Sequence, residues 1–353
     1  MKPPPASALD HDLLRRLPKA ELHCHLDGSV RPQTMLDLAR EYGVTMPRAD
    51  AKSLGEHMTV RDAHNLEEYL ARFSVTLSVM QHREALEQVA YELAEDAHRD
   101  GVWYIEVRFA PVLNLREGLT AEEVIDAVLK GLGRAEREHG VVARVIVTAL
   151  RDLDPAISLD MAKLAVAYRG KGVVGFDLAG GEAGHPAAEH APAFEYTRSH
   201  DMACTCHAGE GDGANSVREA VHFCGAHRVG HGTRLFEDPA LMDYVNDRRI
   251  PIEICITSNV QTRATRSYET HPVRRYFDAG LNVVLNTDNR LMSATTLTDE
   301  YAHAASHLGF SFAELTKIAI NGFESAFLHF KDRQSLIARA RLAITRLEAG
   351  SPS

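Results

Sequence analysis

Short apolar runs recur along this chain, and amphipathic stretches separate them. The runs fall at residues 20–26 (AELHCHL), 102–110 (VWYIEVRFA), 142–149 (VARVIVTA), 173–179 (VVGFDLA), 202–208 (MACTCHA), 228–231 (RVGH), 251–256 (PIEICI) and 282–287 (NVVLNT). They have the length and the β-branched content of strands. Between them the patterns at 120–139, 157–169, 187–200, 214–225, 238–247 and 271–279 are helical. Strands that alternate with helices predict a parallel sheet. Eight such strands are the number that closes a (β/α)8 TIM barrel, an α/β fold.

The first interval departs from this rhythm. About 75 residues separate the first two strands, with helical patterns at 32–42, 66–81 and 83–99. A helical insertion over about 30–100 therefore follows the first strand, at the mouth of the barrel, where it acts as a lid or pads the wall. Helices near 296–307, 312–320, 322–329 and 332–348 follow the last strand. No Gly/Ser/Pro-rich linker interrupts the middle of the chain, so residues 17–349 read as a single domain. The segment 1–16, with three consecutive prolines, reads as a disordered or extended lead.

Within the first strand lies LPKAELHCHLDGS (17–29). Successive side chains leave opposite faces of a strand. His23, His25 and Asp27 thus share one face, and Leu22, Cys24 and Leu26 the other. That is unusual for a core strand and natural for a metal site. Functional groups of a (β/α)8 barrel lie at the C-terminal ends of its strands. The fourth strand ends in Asp177-Leu-Ala-Gly180, the fifth in His207-Ala-Gly-Glu210, the sixth in His231-Gly232 and the eighth in Asn286-Thr-Asp288-Asn289.

Imidazole and carboxylate are the usual zinc ligands when sulfur is absent. His23, His25, His207 and Asp288 are accordingly the expected ligands of one zinc per chain, with water at the remaining position. Fe(II), Co(II) or Mn(II) could occupy the same set. Zinc lowers the pKa of bound water to about 7. His231 is the candidate to orient or deprotonate that water, and Glu210 the candidate proton donor to the substrate. A two-metal site of the kind bridged by a lysine at the end of strand four is disfavoured. That strand ends Asp-Leu-Ala-Gly, and Lys171 precedes it at the opposite pole.

Charge and cysteine content narrow the context. The 353 residues carry a net charge of −10, which argues against nucleic acid or an anionic membrane as partner. The five cysteines form no Cys-x-x-Cys pair. This predicts a reduced, cytoplasmic protein and excludes a cytidine-deaminase type of zinc site. The start MKPPPASALDHD has no apolar segment of a signal peptide, and no run is long enough to cross a bilayer. A small-molecule substrate and a monomer or homodimer are expected.

The segments ELHCHLDGS, YIEVRFAP, VVGFDLAGGE, CHAGE, RVGHG, TSNVQT and LNTDNR resemble, in order, motifs of the adenosine deaminases of the amidohydrolase superfamily, over about residues 17–330. The resemblance implies a (β/α)8 barrel with one zinc that removes the purine 6-amino group by hydrolysis. It implies zinc ligation by His23, His25, His207 and Asp288, with His25 also bordering the substrate. It further implies protonation of ring N1 by Glu210, a hydroxide held by His231, a main-chain contact from Gly180 to N3, and a contact from Asp27 to the ribose 5′-hydroxyl. Residues 65–81 resemble the family's gate over the pocket, with Leu66, Tyr69, Leu70 and Phe73 at helical spacing; the same stripe can also pack on the barrel.

One position departs from the family pattern. Many members carry a second Asp after the zinc Asp, where this chain has Asn289. Purine N7 is an acceptor, and an amide donates to it without being protonated first. Adenine-specific members more often read His-Leu-Glu-Gly where this chain has His25-Leu-Asp-Gly28, so Asp27 favours a nucleoside. The expected function is deamination of adenosine and 2′-deoxyadenosine in purine salvage. The alternatives are a deaminase of adenine or aminodeoxyfutalosine, and a non-catalytic binding protein on the same scaffold. The pair Glu210 and His231 speaks against the last of these, since binding alone needs no proton donor.

Overall fold

The computed structural model describes residues 9–60 and 66–349. Eight parallel strands follow one another in chain order: β1 (Lys19–His25), β2 (Val102–Phe109), β3 (Val142–Leu150), β4 (Val173–Ala179), β5 (Ala203–Ala208), β6 (Arg228–His231), β7 (Ile252–Ile254) and β8 (Val283–Leu285). The ring closes beyond the end of β8. There Asp288 N–H donates to His23 O at 3.0 Å, and His25 N–H donates to Asp288 O at 2.7 Å. The side-chain oxygen of Asn286 accepts from Leu22 N–H at 2.7 Å. The seam between first and last strands is therefore made by the same residues that carry the candidate chemistry.

The expected α/β barrel is present, and the helices sit where apolar periodicity and capping residues place them. Ala121–His139 opens on a Thr120/Glu123 capping box and closes on Gly140 in the left-handed region, so both ends have their free main-chain groups satisfied. Leu297–Leu308 and Phe312–Ser325 open on the same kind of box, from Thr296/Asp299 and Ser311/Glu314.

Several expectations need correction. Residues His11–Arg16 are helical, with Leu14 fully buried and Asp10 capping the N-terminus. The expected disordered lead therefore does not reach residue 16; residues 1–8 lie outside the described residues. Phe312–Ser325 is one helix rather than two. Gly322 stands inside it, where a Cβ would meet Ala20 of β1 at 3.3 Å. The gate stretch is two short helices, Leu66–Leu70 and Phe73–Val79, and Asn65 lies outside the described residues. Ala51–Met58 and Ile256–Gln261 are additional helices. β7 and β8 are shorter than expected because the chain leaves the sheet early to build the site.

The lower barrel interior holds charge. Arg228 pairs with Glu253 at 2.6 Å and with Glu106, while Arg108 pairs with Glu253 at 2.9 Å and Asp177 at 3.3 Å. All five side chains are buried. Ions this deep persist only when each is matched by an opposite charge and by hydrogen bonds.

Candidate active site

The ends of β1, β5 and β8 bring His23, His25, His207 and Asp288 together, with one ligand atom of each within 4.8 Å of all the others. Whether the group fits a metal is decided by the far side of each ring. His23 Nδ1 lies 2.9 Å from Glu253 Oε2, and His207 Nδ1 lies 3.1 Å from Asp177 Oδ1. Each ring donates to its carboxylate, which leaves a lone pair on Nε2. His23 Nε2 is buried without a hydrogen-bond partner and faces Asp288 Oδ1 at 3.2 Å. His207 Nε2 faces His25 Nε2 at 3.1 Å. The accepting Nε2 atoms of His23 and His207 and Asp288 Oδ1 thus converge with His25 Nε2, and a cation among them satisfies all of them together. Three imidazoles and one carboxylate are a donor set that suits zinc.

The electrostatics agree. Against the opposition of burial, His207 and Arg108 hold the Asp177 carboxyl well below the usual range. In the same way Arg108 and Arg228 keep Glu253 ionised. Burial, and then the neighbouring His rings, keep His25 and His207 unprotonated. Burial and the Arg108 charge disfavour a proton on His23, but Asp288 and Glu253 outweigh them and raise its pKa. That pull serves any cation at Nε2.

His231 and Asp288 both stand at positive φ, 62° and 63°, a backbone region that costs a non-glycine residue about 1–3 kcal/mol and gathers at functional sites. Ser258 donates to Asp288 Oδ2 at 2.6 Å, leaving Oδ1 toward the imidazoles. Gly230 precedes His231 because a Cβ there would lie 3.1 Å from His23 Cε1 and 3.2 Å from His207 Cα.

Glu210 follows β5 in the sequence His207-Ala-Gly-Glu. Its carboxyl accepts from Thr262 Oγ1 at 3.0 Å and lies 3.4 Å from His231 Nε2. Burial first, then the charges of Asp288 and Glu182, push its pKa well above the usual carboxylate value. The surroundings of Glu210 therefore favour its protonated form. Its main chain is held by Glu182, whose oxygens accept from Gly209 N–H at 2.6 Å, Glu210 N–H at 2.9 Å and Gly211 N–H at 2.6 Å. Successive N–H groups form an anion cradle, and here the anion is a side chain of the protein. Gly209 adopts φ 72°, and a Cβ on Gly211 would crowd Glu182 Cβ at 3.1 Å.

A cavity of about 330 Å³ lies above the cluster, bordered by His25, Asp27, Gly180, His207, Glu210, His231, Asp288 and Asn289. Every residue proposed from the sequence lies at this cavity except His23, which sits beneath it as a ligand candidate. Leu66, Tyr69, Leu70 and Phe73 of the insertion line its other side. Asp27 is buried with Oδ1 unpaired, and burial pushes its pKa up to about 7. The side chain of Asn289 packs against Gly28, where any Cβ would collide with it.

Sequence reading missed Glu253 and Glu182, and saw Arg108 and Asp177 only as strand ends. One signal was available: a charged residue between two isoleucines of a buried strand, Ile252-Glu253-Ile254, is rare unless it is paired. The partners could not be read locally. Glu253 meets His23 across 230 positions of chain.

A family model described as adenosine deaminase matches residues 18–341. An adenosine deaminase of Mycobacterium marinum is 43% identical over 344 residues, covering 92% of this chain and 94% of that protein. A probable adenosine deaminase of Dictyostelium discoideum is also 43% identical over 90% of this chain, which spans 41% of that longer protein. Among solved structures, the adenine deaminase of Arthrobacter aurescens superimposes with a TM-score of 0.86 at 25% identity, over 93% of this chain and 99% of that one. An amidohydrolase from Burkholderia ambifaria with bound zinc gives the same score and identity over 99% and 97%. The match runs through every strand end that contributes to the cluster, and it places this chain in the adenosine deaminase family.

Proposed function

We propose that the protein hydrolyses adenosine and 2′-deoxyadenosine to inosine and deoxyinosine with release of ammonia, in purine salvage. His23, His25, His207 and Asp288 would hold one zinc. When bound, the metal makes water a nucleophile near neutral pH. Adding water across C6 and N1 of the purine interrupts its aromaticity and requires a proton on N1. Glu210, whose surroundings favour its acid form, borders the cavity and is the donor of that proton. His231 Nε2, 3.4 Å from that carboxyl, orients the attacking water. Gly180 offers its main chain to N3 and Asn289 its amide to N7. Asp27 offers an unpaired carboxyl oxygen for the ribose 5′-hydroxyl, which supports a nucleoside over the free base. Such contacts accelerate the reaction where they strengthen toward the tetrahedral state.

Glu210, buried beside the cluster with its carboxyl 3.4 Å from His231 Nε2 and its acid form favoured, carries this reading, since binding alone needs no acid there. Leu66, Tyr69, Leu70 and Phe73 of the helices 66–70 and 73–79 border the cavity, which supports a role of this stretch as its cover. Five buried, unpaired cysteines support a reducing compartment, and this reading puts the protein in the cytoplasm as a monomer or homodimer. No helix among the described residues is long and apolar enough to cross a membrane.

The test is ammonia release from adenosine, deoxyadenosine, adenine and aminodeoxyfutalosine, with metal analysis of the same sample. The nucleosides are expected to react fastest, with one zinc per chain. Glu210→Gln is expected to keep zinc and lose turnover. Preference for adenine or aminodeoxyfutalosine would replace the substrate assignment, and turnover by Glu210→Gln at the wild-type rate would remove Glu210 as the acid.

A further inference from the structure

We infer that Asn259 and His271 are positioning residues that lock His231 in the tautomer with its proton on Nε2, so that His231 orients the attacking water by donating to it rather than acting as its base. The inference rests on the reading of His231 given above.

One main-chain group fixes the direction of the whole relay. Val273 opens the helix Val273–Asp278, and the N–H groups of a first helical turn have no partner within the helix. Val273 N–H donates to His271 Nδ1 at 3.2 Å. Since N–H can only donate, Nδ1 is the accepting nitrogen and the ring proton of His271 sits on Nε2. That nitrogen lies 3.2 Å from Asn259 Oδ1. A donor facing this position requires the amide oxygen there, which orients the amide of Asn259. The other end, Nδ2, then lies 3.0 Å from His231 Nδ1. Nδ2 can only donate, so His231 Nδ1 accepts and the remaining proton is on Nε2.

The relay is dry and its order has no competitor. His271 is 3% exposed, Asn259 0% and His231 1%. Burial drives the His271 pKa down to about 3, so the ring stays neutral and Nδ1 stays an acceptor. Reversing the tautomer of His231 would set two donors against each other between Asn259 and Nδ1, in a place where no solvent can relieve them. A base at this position needs a lone pair on Nε2, and the relay holds a proton there. Asn259 comes from the helix Ile256–Gln261 that follows β7, and His271 from the turn before Val273–Asp278. Neither borders the cavity, so both act through His231.

The test uses the zinc-loaded full chain with ¹⁵N-labelled histidine. Long-range ¹H–¹⁵N spectra distinguish the two tautomers of each ring, with His231 assigned by loss of its signal in His231→Gln. The wild type is expected to show His231 and His271 protonated on Nε2 and unprotonated on Nδ1. In Asn259→Asp a carboxylate still accepts from His271 but now accepts from His231 too, so the single ring proton of His231 moves from Nε2 to Nδ1. Turnover is then expected to fall about 100-fold, the scale of losing one oriented donor. KM and zinc content should stay within about twofold. His231 protonated on Nδ1 in the wild type overturns the inference, and that spectrum needs no variant to fold. Unimpaired kcat in Asn259→Asp, with the proton shown to have moved, overturns it equally. Failure of the deaminase reading is a separate result, seen as no ammonia from the wild type with any purine.

Discussion

His23 Nδ1 lies 2.9 Å from Glu253 Oε2, and the same carboxylate group receives Arg108 at 2.9 Å and Arg228 at 2.6 Å. Glu253 is thus the point where the metal cluster meets the ionic core of the barrel. It selects which nitrogen of His23 faces the centre. Arg108 reaches across from Glu253 to Asp177, the carboxylate that does the same for His207. One guanidinium therefore braces the outer partners of two ligand candidates.

Replacing Glu253 by Gln keeps the shape but removes the charge. Zinc affinity, measured by competition with a chelator, is expected to fall about 10–100-fold, the usual effect of losing such a partner. Thermal stability should fall as well, by about 3–5 kcal/mol, because two buried guanidinium groups lose compensation. Wild-type zinc affinity in Glu253→Gln would show that His23 needs no orienting carboxylate.

Gly230→Ala tests packing alone. The new methyl would press on His23 Cε1 at 3.1 Å and on the His207 main chain at 3.2 Å. The main chain yields less readily than the ring, so the ring moves by a few tenths of an ångström. We expect roughly tenfold lower kcat, since misplacement on the ångström scale weakens catalysis steeply, with the fold intact by circular dichroism. Unchanged kcat would mean that the cluster tolerates the shift.

Glu182→Gln tests the cradle behind Glu210. Its amide NH₂ would oppose the N–H groups of Gly209, Glu210 or Gly211, leaving at least one buried donor unmet at about 1–3 kcal/mol. It also removes a negative charge that helps Glu210 keep its proton. The Glu210 pKa should fall, so activity is expected to decline at lower pH on the alkaline side than in the wild type. A kcat–pH profile with an unmoved alkaline limb would show that Glu182 acts only on the backbone.

Glu300 predicts a pH dependence of stability. It is fully buried, accepting from Thr257 N–H at 3.2 Å and Thr295 Oγ1 at 2.9 Å, and burial pushes its pKa up to about 7 from 4.5. The folded state therefore holds this proton more tightly than the unfolded chain. The group's stabilisation is complete below pH 4.5 and is lost as pH rises through about 7. Glu300→Gln mimics the protonated acid. It is expected to raise stability at pH 8 by up to about 3 kcal/mol, with little effect near pH 4.5. Denaturant unfolding at the two pH values measures this, and equal effects at both would contradict it.

Much of the architecture was readable along the chain. Strand-length runs spaced by helical patterns are local features, and so are the capping residues Thr120, Thr296 and Ser311. The polar residues that end β1, β5, β6 and β8 were also legible, because a barrel presents strand ends on one rim. The insertion was visible as an interval, whereas its short helix 51–58, capped by Asp50, was hidden by its length. The division into helices near 312–320 and 322–329 was wrong because Phe312–Ser325 packs as one helix, with Gly322 set close against Ala20 of β1.

The sequence by itself determined that imidazoles and carboxylates would stand at the rim, since alternation and strand length are properties of neighbours in the chain. Which nitrogen each imidazole turns inward, which carboxylate keeps a proton and which loses it, only the tertiary structure decided. Those outcomes depend on groups brought from remote strands into a dry interior. Glu253 sets His23, Asp177 sets His207, Asn259 sets His231, and Glu182 with Asp288 bears on Glu210. The direction of a hydrogen bond and the proton affinity of a buried group are properties of its surroundings, and those surroundings exist only once the barrel has closed.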